Sequence, residues 1–293
     1  MGTKYSRDYN VDCIKGLWFT MMVIVHTGYY SLINPVAWEF FGVVTSAEFL
    51  VMCSGINTGT LYRKSIEKNQ ISFVVKKVLL RSFVIYAICL LNTLFILVFS
   101  NLLTSINFEY VTTYYGFNEV FNLFPLYDGQ VNTMYDMIKG AVLLKYGPHQ
   151  IQILGFYAII LMLSPIAIYC IKNNILLFIM TSAVVYQINS FYKINITGAQ
   201  FEQAFSFFSW QFLFFLSLAC GYYKQEVLEK IQKNLNLKPY AYSLYAIAFT
   251  FFIMSHLNIR HNHNMIYEAL FSKQYLGILR LFNAGILFIC LYY

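Results

Sequence analysis

Residues 12–26 read DCIKGLWFTMMVIVH, an apolar run that carries ionisable residues near its start and a histidine at its end. Lys15 and His26 are eleven residues apart, about three turns of an α-helix, so their side chains lie on one face. At about 1.5 Å per residue, roughly 16 Å separates their Cα atoms, which places Lys15 near one membrane surface and His26 within the hydrocarbon layer. We expect an imidazole at that depth to face a protein interior or a water-filled cavity, or else to bond a neighbouring helix as a structural histidine.

The composition excludes an ordinary soluble globular protein, because 59% of the 293 residues are hydrophobic and only 11% are charged. It predicts an all-α, polytopic integral membrane helical bundle that forms a single domain over residues 1–293. The first apolar run lacks a small-residue cleavage site and is therefore interpreted as a retained span. The net charge of +7 does not require a nucleic-acid partner, since membrane topology explains it. Six scattered cysteines without a CxxC pair do not favour a metal site or a disulfide framework.

Eight stretches have nearly the length needed to cross the bilayer. They are residues 14–33, 38–61, 74–103, 150–172, 174–192, 205–223, 239–258 and 275–293. Residues 134–146 have apolar side chains at helical spacing and predict an interfacial or re-entrant helix, and residues 224–238 predict an amphipathic surface helix. The sequence stops within an apolar run, so either the last helix ends flush with the membrane or the natural chain is longer.

The distribution of basic residues predicts the orientation of these spans. With the N-terminus inside, fourteen of the twenty Lys and Arg residues fall on inside segments and six fall on outside segments or outer helix ends. This bias follows the positive-inside rule and predicts a cytoplasmic N-terminus.

Several polar residues interrupt the apolar spans and are candidates for a site. Glu48 lies within an apolar helix, where a carboxylate must be paired or protonated. Lys77 and Arg81 are one helical turn apart and form a two-pronged cationic surface suited to phosphate or carboxylate, although membrane anchoring explains Lys77 equally well. Trp210 and Gln211 begin the sixth span. Two histidines in the RHNHN segment, residues 260–264, have loop spacing and no nearby acid or cysteine, which makes a metal site there improbable.

These residues resemble the OpgC family, whose named members succinylate periplasmic glucans, within the membrane acyltransferase-3 superfamily. The superfamily signature of Arg, ten residues and His reads here as Lys15, ten residues and His26, and its RxxxR signature reads Lys77-x-x-x-Arg81. The likeness also rests on the pairs and triplets Asp12-x-x-Lys15-Gly16, Ala47-Glu48-Phe49, Ser54-Gly55 and Arg81 with Tyr86. It implies a multi-pass protein of the bacterial inner membrane that transfers an acetyl or succinyl group from cytosolic acyl-CoA to a hydroxyl of an extracytoplasmic glycan.

The resemblance also implies roles for individual residues. His26 is the expected general base or acyl relay, oriented or tuned by Glu48 or Asp12. The three cations Lys15, Lys77 and Arg81 are expected to hold the phosphates of CoA or to polarise the thioester carbonyl. The acceptor path is expected to be lined by Trp210 and Gln211. No metal is expected; the expected partners are membrane lipid and the glycan, and self-association into a homo-oligomer stays open.

Two other classes of protein fit the same residues. A polytopic transporter or flippase for an anionic lipid or glycan would use the cations for binding without covalent chemistry. A membrane scaffold without a site would tolerate replacement of Lys15, His26 and Arg81. Consumption of a CoA thioester discriminates the enzyme from both alternatives.

Overall fold

The structure is a computed structural model, and it describes residues 8–26, 42–105, 134–145, 147–148, 151–226, 228–229, 237–256 and 270–292. The α-helices within these ranges are α1 (Tyr9–His26), α2 (Ser46–Glu67), α3 (Ile71–Ser105), α4 (Met134–Val142), α5 (Gln152–Tyr192), α6 (Phe207–Tyr222), α7 (Leu237–His256) and α8 (Ile278–Tyr292). A 3₁₀-helix covers Gln200–Gln203, and these ranges contain no β-strand. The predicted all-α class is confirmed.

Two of the described helical segments are long and apolar enough to cross a membrane, Ile71–Phe95 in α3 and the whole of α5. Three shorter apolar segments are Phe207–Tyr222, Tyr242–Met254 and Ile278–Tyr292. About eight spans were expected, and that number stays a prediction. Helix α5 is interrupted at Asn174, where φ is −156° and ψ is 94°. The side-chain oxygen of Asn174 accepts a hydrogen bond from Leu177 N and so caps the second half. The expected division between residues 172 and 174 is therefore confirmed.

The chain forms two compact units. The first comprises Met1–Val74, Ile166–Lys193 and Ser209–Tyr293, and the second comprises Val75–Pro165 and Ile194–Phe208. The single domain expected over residues 1–293 stays a prediction, and each unit is described by itself below.

Helices α1, α2 and α8 form the core of the first unit. Trp18 of α1 stacks on Phe49 of α2, with 4.0 Å between ring centroids, whereas Val11 lies beside Cys53. A later residue of α1 thus meets an earlier residue of α2, so the two helices are antiparallel. At the other contact of α1, the Asn10 side chain donates to the carbonyl of Tyr292 at the end of α8. Helix α1 therefore runs opposite to both neighbours, and α2 and α8 begin at the same end of this group.

Small residues let α2 and α6 approach closely. A Cβ added to Gly59 would lie 2.1 Å from the carbonyl oxygen of Leu218, and one added to Gly221 would lie 2.2 Å from that of Ile56. Gly55 is equally tight against α6, because its Cβ would be 2.7 Å from the carbonyl oxygen of Phe214. Glycines four residues apart on one helix face are typical of close helix crossings in membranes. The close approach expected at Ser54-Gly55 is confirmed.

In the second unit, α3 has a stripe of buried side chains that includes Val78, Ser82 and Cys89. Ser82 on this stripe donates to the carbonyl of Ala158 at 2.5 Å, and the Tyr86 hydroxyl donates to the carbonyl of Val142 at 2.7 Å. The latter bond joins α3 to the end of α4, which is the helix expected within residues 134–146. Glu202 is buried and accepts hydrogen bonds from the backbone N–H groups of residues 196–198, which holds the loop before the 3₁₀-helix.

Candidate functional site

An open cleft of about 580 Å³ lies in the first unit at the N-terminal end of α1. Its walls come from residues 8–12, from residues 56–64 of α2, from residues 221–228 and from Tyr292. We call it the α1 cleft. Its volume falls within the range of small-molecule sites. The N-terminus of α1 adds the positive end of a helix dipole, which favours an anionic ligand.

Ion pairs line the α1 cleft and tie its walls together. Lys224 pairs with Asp8, whose other oxygen accepts the backbone N–H groups of Asn10 and Val11 and so caps α1. The Lys224 ammonium also lies over the Tyr292 ring, 5.4 Å from its centroid. Burial lowers the pKa of Lys224 from its ordinary value.

A second ion pair of the cleft joins α2 to residue 226. Arg63 donates to Glu226 at 2.6 Å and to Glu67 at 2.9 Å, and its guanidinium lies 5.2 Å from the centroid of the Tyr222 ring. The exposed fractions of the Arg63 and Glu226 side chains are 30% and 41%, so water reaches both partners. A phosphate-bearing ligand can therefore replace a carboxylate on these cations at small cost, whereas a fully buried pair would resist exchange.

Helix α1 carries three of the expected site residues, Asp12, Lys15 and His26. Asp12 lines the cleft, and Lys15 is half-buried one turn further along. His26 is the last residue of α1 and is exposed, and residues 27–41 that follow it lie outside the described residues. Asp12 and His26 are fourteen residues apart, which separates their Cα atoms by about 21 Å along the axis. The structure therefore places Asp12 and His26 at opposite ends of α1. His26 was expected to be buried, but no described residue covers it enough to do so.

Glu48 has partners that were not expected. Its Oε1 accepts from Arg280 Nη1 at 2.8 Å, while its Oε2 accepts from the backbone N–H of Thr45 at 2.8 Å and from its hydroxyl at 2.7 Å. Arg280 Nε also donates to the carbonyl of Phe271. Both members of the ion pair are almost fully buried, at 0% and 4% exposed. The structure thus brings Glu48 to Arg280 at the start of α2 and α8, where the carboxylate caps α2 rather than contacting His26.

Lys77 and Arg81 lie on α3 in the second unit, whereas the other expected site residues lie in the first. Both cations are exposed and one turn apart, on a face of α3 that flanks the buried Val78 and Ser82. The expected two-pronged cationic surface is therefore present as a local arrangement. Its use for donor phosphates stays a prediction.

Trp210 and Gln211 are both buried and hydrogen-bonded. The indole N–H of Trp210 donates to the carbonyls of Lys273 and Gln274 at 3.0 and 3.2 Å. Gln211 accepts from the Ser182 hydroxyl at 2.7 Å and donates to the Ser182 carbonyl, which joins α6 to the second half of α5. Neither side chain lines the α1 cleft. They hold helices together in this structure, and their role in an acceptor path stays a prediction.

Four basic residues of the first unit matter more than the sequence suggested: Arg63, Lys64, Lys224 and Arg280. From the sequence, these residues indicated only which side of the membrane each segment faces. For Arg280 a signal was present, because an arginine in one apolar helix and an acid in another each require a partner. Among the described residues no group of three or more His, Cys, Asp or Glu side chains is placed to hold a metal. The RHNHN segment and residues 230–236 lie outside the described residues.

A family model described as OpgC protein matches residues 7–293. No curated protein and no solved structure matches the chain. The matched region contains α1, the α1 cleft and the buried Glu48–Arg280 pair, and covers nearly the whole sequence. The chain therefore belongs to the OpgC protein family.

Proposed function

We propose that this protein is an integral-membrane O-acyltransferase. It moves an acetyl or succinyl group from cytosolic acyl-CoA to a hydroxyl of an extracytoplasmic glycan. The family match over residues 7–293 is the observation that carries this proposal. The α1 cleft, which Asp12 lines, is the structural feature that agrees with it.

The proposed location is the bacterial inner membrane, with several spans and a cytoplasmic N-terminus. The positive-inside bias and the two long apolar segments in α3 and α5 support this placement. The α1 cleft then opens toward the cytosol, because it surrounds the first turn of α1. The starts of α2 and α8, with the buried ion pair, lie toward the acceptor side.

The donor phosphates are proposed to bind at the α1 cleft. Arg63, Lys64 and Lys224 line it, and its ion pairs are accessible enough to exchange a carboxylate for a phosphate. Lys77 and Arg81 are proposed to add a second contact to the donor. Lys15, one turn beyond the cleft on α1, is proposed to hold a phosphate of the donor.

The chemistry assigned to His26 is general-base catalysis or acyl relay. In the direct route the imidazole accepts the proton of an acceptor hydroxyl, and the hydroxyl oxygen attacks the carbonyl carbon of the thioester. The tetrahedral oxyanion is stabilised by a cation, the C–S bond breaks, and the CoA thiolate takes the proton from the imidazolium. In the relay route an imidazole nitrogen attacks the thioester carbonyl carbon, the C–S bond breaks, and the CoA thiolate takes up the imidazole proton. The acceptor hydroxyl then attacks the acyl-imidazole, the N–acyl bond breaks, and the hydroxyl proton returns to the imidazole.

Replacement of His26 by alanine tests the proposal. We expect His26→Ala to abolish acylation of the surface glycan in cells, measured by mass spectrometry of the purified glycan. Phe19→Ala is the matched control, because Phe19 is an exposed apolar residue of the same helix. Unchanged acylation in His26→Ala at equal protein level would contradict the assigned role.

A second measurement separates the enzyme from a transporter or flippase. Purified wild-type protein in detergent should release free CoA from acetyl-CoA or succinyl-CoA when a glucan acceptor is added. Transport without covalent chemistry predicts no release of CoA.

A further inference from the structure

The first unit contains a fully buried asparagine whose side chain has no hydrogen-bond partner. Both the Nδ2 and the Oδ1 atoms of Asn283 are buried and unpartnered, and the residue is 0% exposed. A buried carboxamide normally satisfies its donors and its acceptor, because leaving them without partners costs the full desolvation free energy. Such a group requires an explanation.

The position of Asn283 points to recognition of a ligand. Arg280 precedes it by one helical turn, so both side chains lie on the same face of α8 beside the fully buried Glu48. Glu48 uses both carboxylate oxygens, on Arg280 and on Thr45. The ion pair is thus complete within the protein, whereas the neighbouring carboxamide keeps an unused donor and an unused acceptor.

The cover over this carboxamide is a glycine. Gly42 has a φ of +120°, a backbone conformation that side chains disfavour, and a Cβ at this position would lie 2.3 Å from Asn283 Nδ2. The cover belongs to the non-helical residues 42–45 that precede α2. The backbone of Gly42 therefore lies against the amide, and among the described residues no side chain hydrogen-bonds it.

We propose that the Asn283 carboxamide binds a hydroxyl group of the acceptor glycan after the backbone at Gly42 is displaced, while Thr45 keeps its hydrogen bonds to Glu48. A carboxamide offers both a donor and an acceptor, which matches a sugar hydroxyl, and the adjacent guanidinium–carboxylate pair supplies a polar surround in an apolar helix group. This inference rests on the proposed function, because it assigns the acceptor to the end of α8 opposite the α1 cleft. Asn283 is a binding residue here and takes no part in proton transfer.

Two buried asparagines in the first unit provide a matched test. Asn189 is also 0% exposed, but its Nδ2 donates to the Ser209 hydroxyl at 2.8 Å. Asn283→Leu removes an unsatisfied amide, so its Tm without ligand should equal or exceed that of wild type. Asn189→Leu leaves Ser209 without this donor, so its Tm should fall; Asn189→Ala is the milder substitute if the leucine variant does not fold.

The proposal is then tested by comparing glucan binding between wild type and the two variants. Glucan oligosaccharides should raise the Tm of wild type and of the Asn189 variant, and Asn283→Leu should weaken that binding about tenfold, as expected for one lost hydrogen bond. Per-O-methylated glucan, which has no hydroxyls, should not raise the Tm of wild type.

Each other result has a definite meaning. A lower Tm for Asn283→Leu without ligand would show that the amide has a structural partner, which overturns the inference. Unchanged glucan binding by Asn283→Leu would show that the amide does not bind glucan, which also overturns it. Absence of glucan binding by wild type also overturns it. Glucan binding without release of CoA would instead remove the proposed transferase while leaving the inference intact.

Discussion

The group of α1, α2 and α8 carries carboxylate–cation pairs at both ends, and the ends differ in how much water reaches them. In the α1 cleft the exposed side-chain fractions of Lys224 and Asp8 are 22% and 21%, whereas those of Arg280 and Glu48 at the other end are 4% and 0%. A pair that water reaches can exchange its partner for a ligand anion, because solvent compensates the change. A dry pair must keep its partner, because one charge left alone in the interior is strongly unfavourable.

This comparison also separates two kinds of polar residue within one apolar chain. At the dry end, every oxygen of Glu48 is used, so the ion pair holds the start of α2 against α8. In the α1 cleft, carboxylates and cations line an open volume. The same chemical groups therefore serve structure at one end and fit ligand exchange at the other.

The largest effect on stability is expected from breaking the dry pair. Arg280→Met should lower the free energy of unfolding by about 3–5 kcal/mol, because it leaves the Glu48 carboxylate uncompensated in the interior. The double variant Glu48→Leu/Arg280→Met should recover most of that loss. Denaturant titration of the purified protein in detergent measures both. An equal loss of stability in the single and double variants would show that the uncompensated charge of Glu48 is not the cause of the destabilisation.

A smaller loss of stability is expected from a substitution at the close contact between α2 and α6. Gly59→Ala should cost about 1–3 kcal/mol, because its new methyl group must push α6 away from the Leu218 carbonyl. Gly16→Ala on α1 is the matched control, since a Cβ there meets nothing within 4 Å. That control should be neutral or should stabilise the helix by about 0.5–1 kcal/mol. The difference between the two Tm values is the measurement, and equal values would contradict the close helix approach.

The smallest effect on stability is expected in the α1 cleft itself. Lys224→Gln should change the free energy of unfolding by about 1 kcal/mol or less, because solvent replaces much of the ion pair with Asp8. Its effect on the proposed reaction should appear as a higher KM for acyl-CoA with kcat unchanged, the pattern of lost ground-state binding. Lys172→Gln, at an exposed lysine outside the cleft, is the control. Equal KM values for the two variants would argue against donor binding in the cleft.

Local features of this protein could be predicted because each depends on neighbouring residues. The helical register of Lys15 and His26, the turn between Lys77 and Arg81 and the helix within residues 134–146 follow from side-chain spacing over one to three turns. The division between residues 172 and 174 follows from the helix length that crosses a bilayer. The partner of Glu48 could not be predicted in the same way. Arg280 lies 232 residues further along the chain, and no local pattern says which apolar helix packs against α2.

The sequence by itself determined that the protein is all-α and that it has apolar helices with polar residues at their ends, whereas the orientation that its basic residues indicate stays a prediction. Hydrophobic periodicity and charge placement carry that information along a single helix. Only the tertiary structure decided which charges share an open cleft, which pair is sealed from water and which buried amide lacks a partner. Those properties depend on burial and on contacts between helices distant in sequence, because the energy of a charge or an amide is determined by what surrounds it.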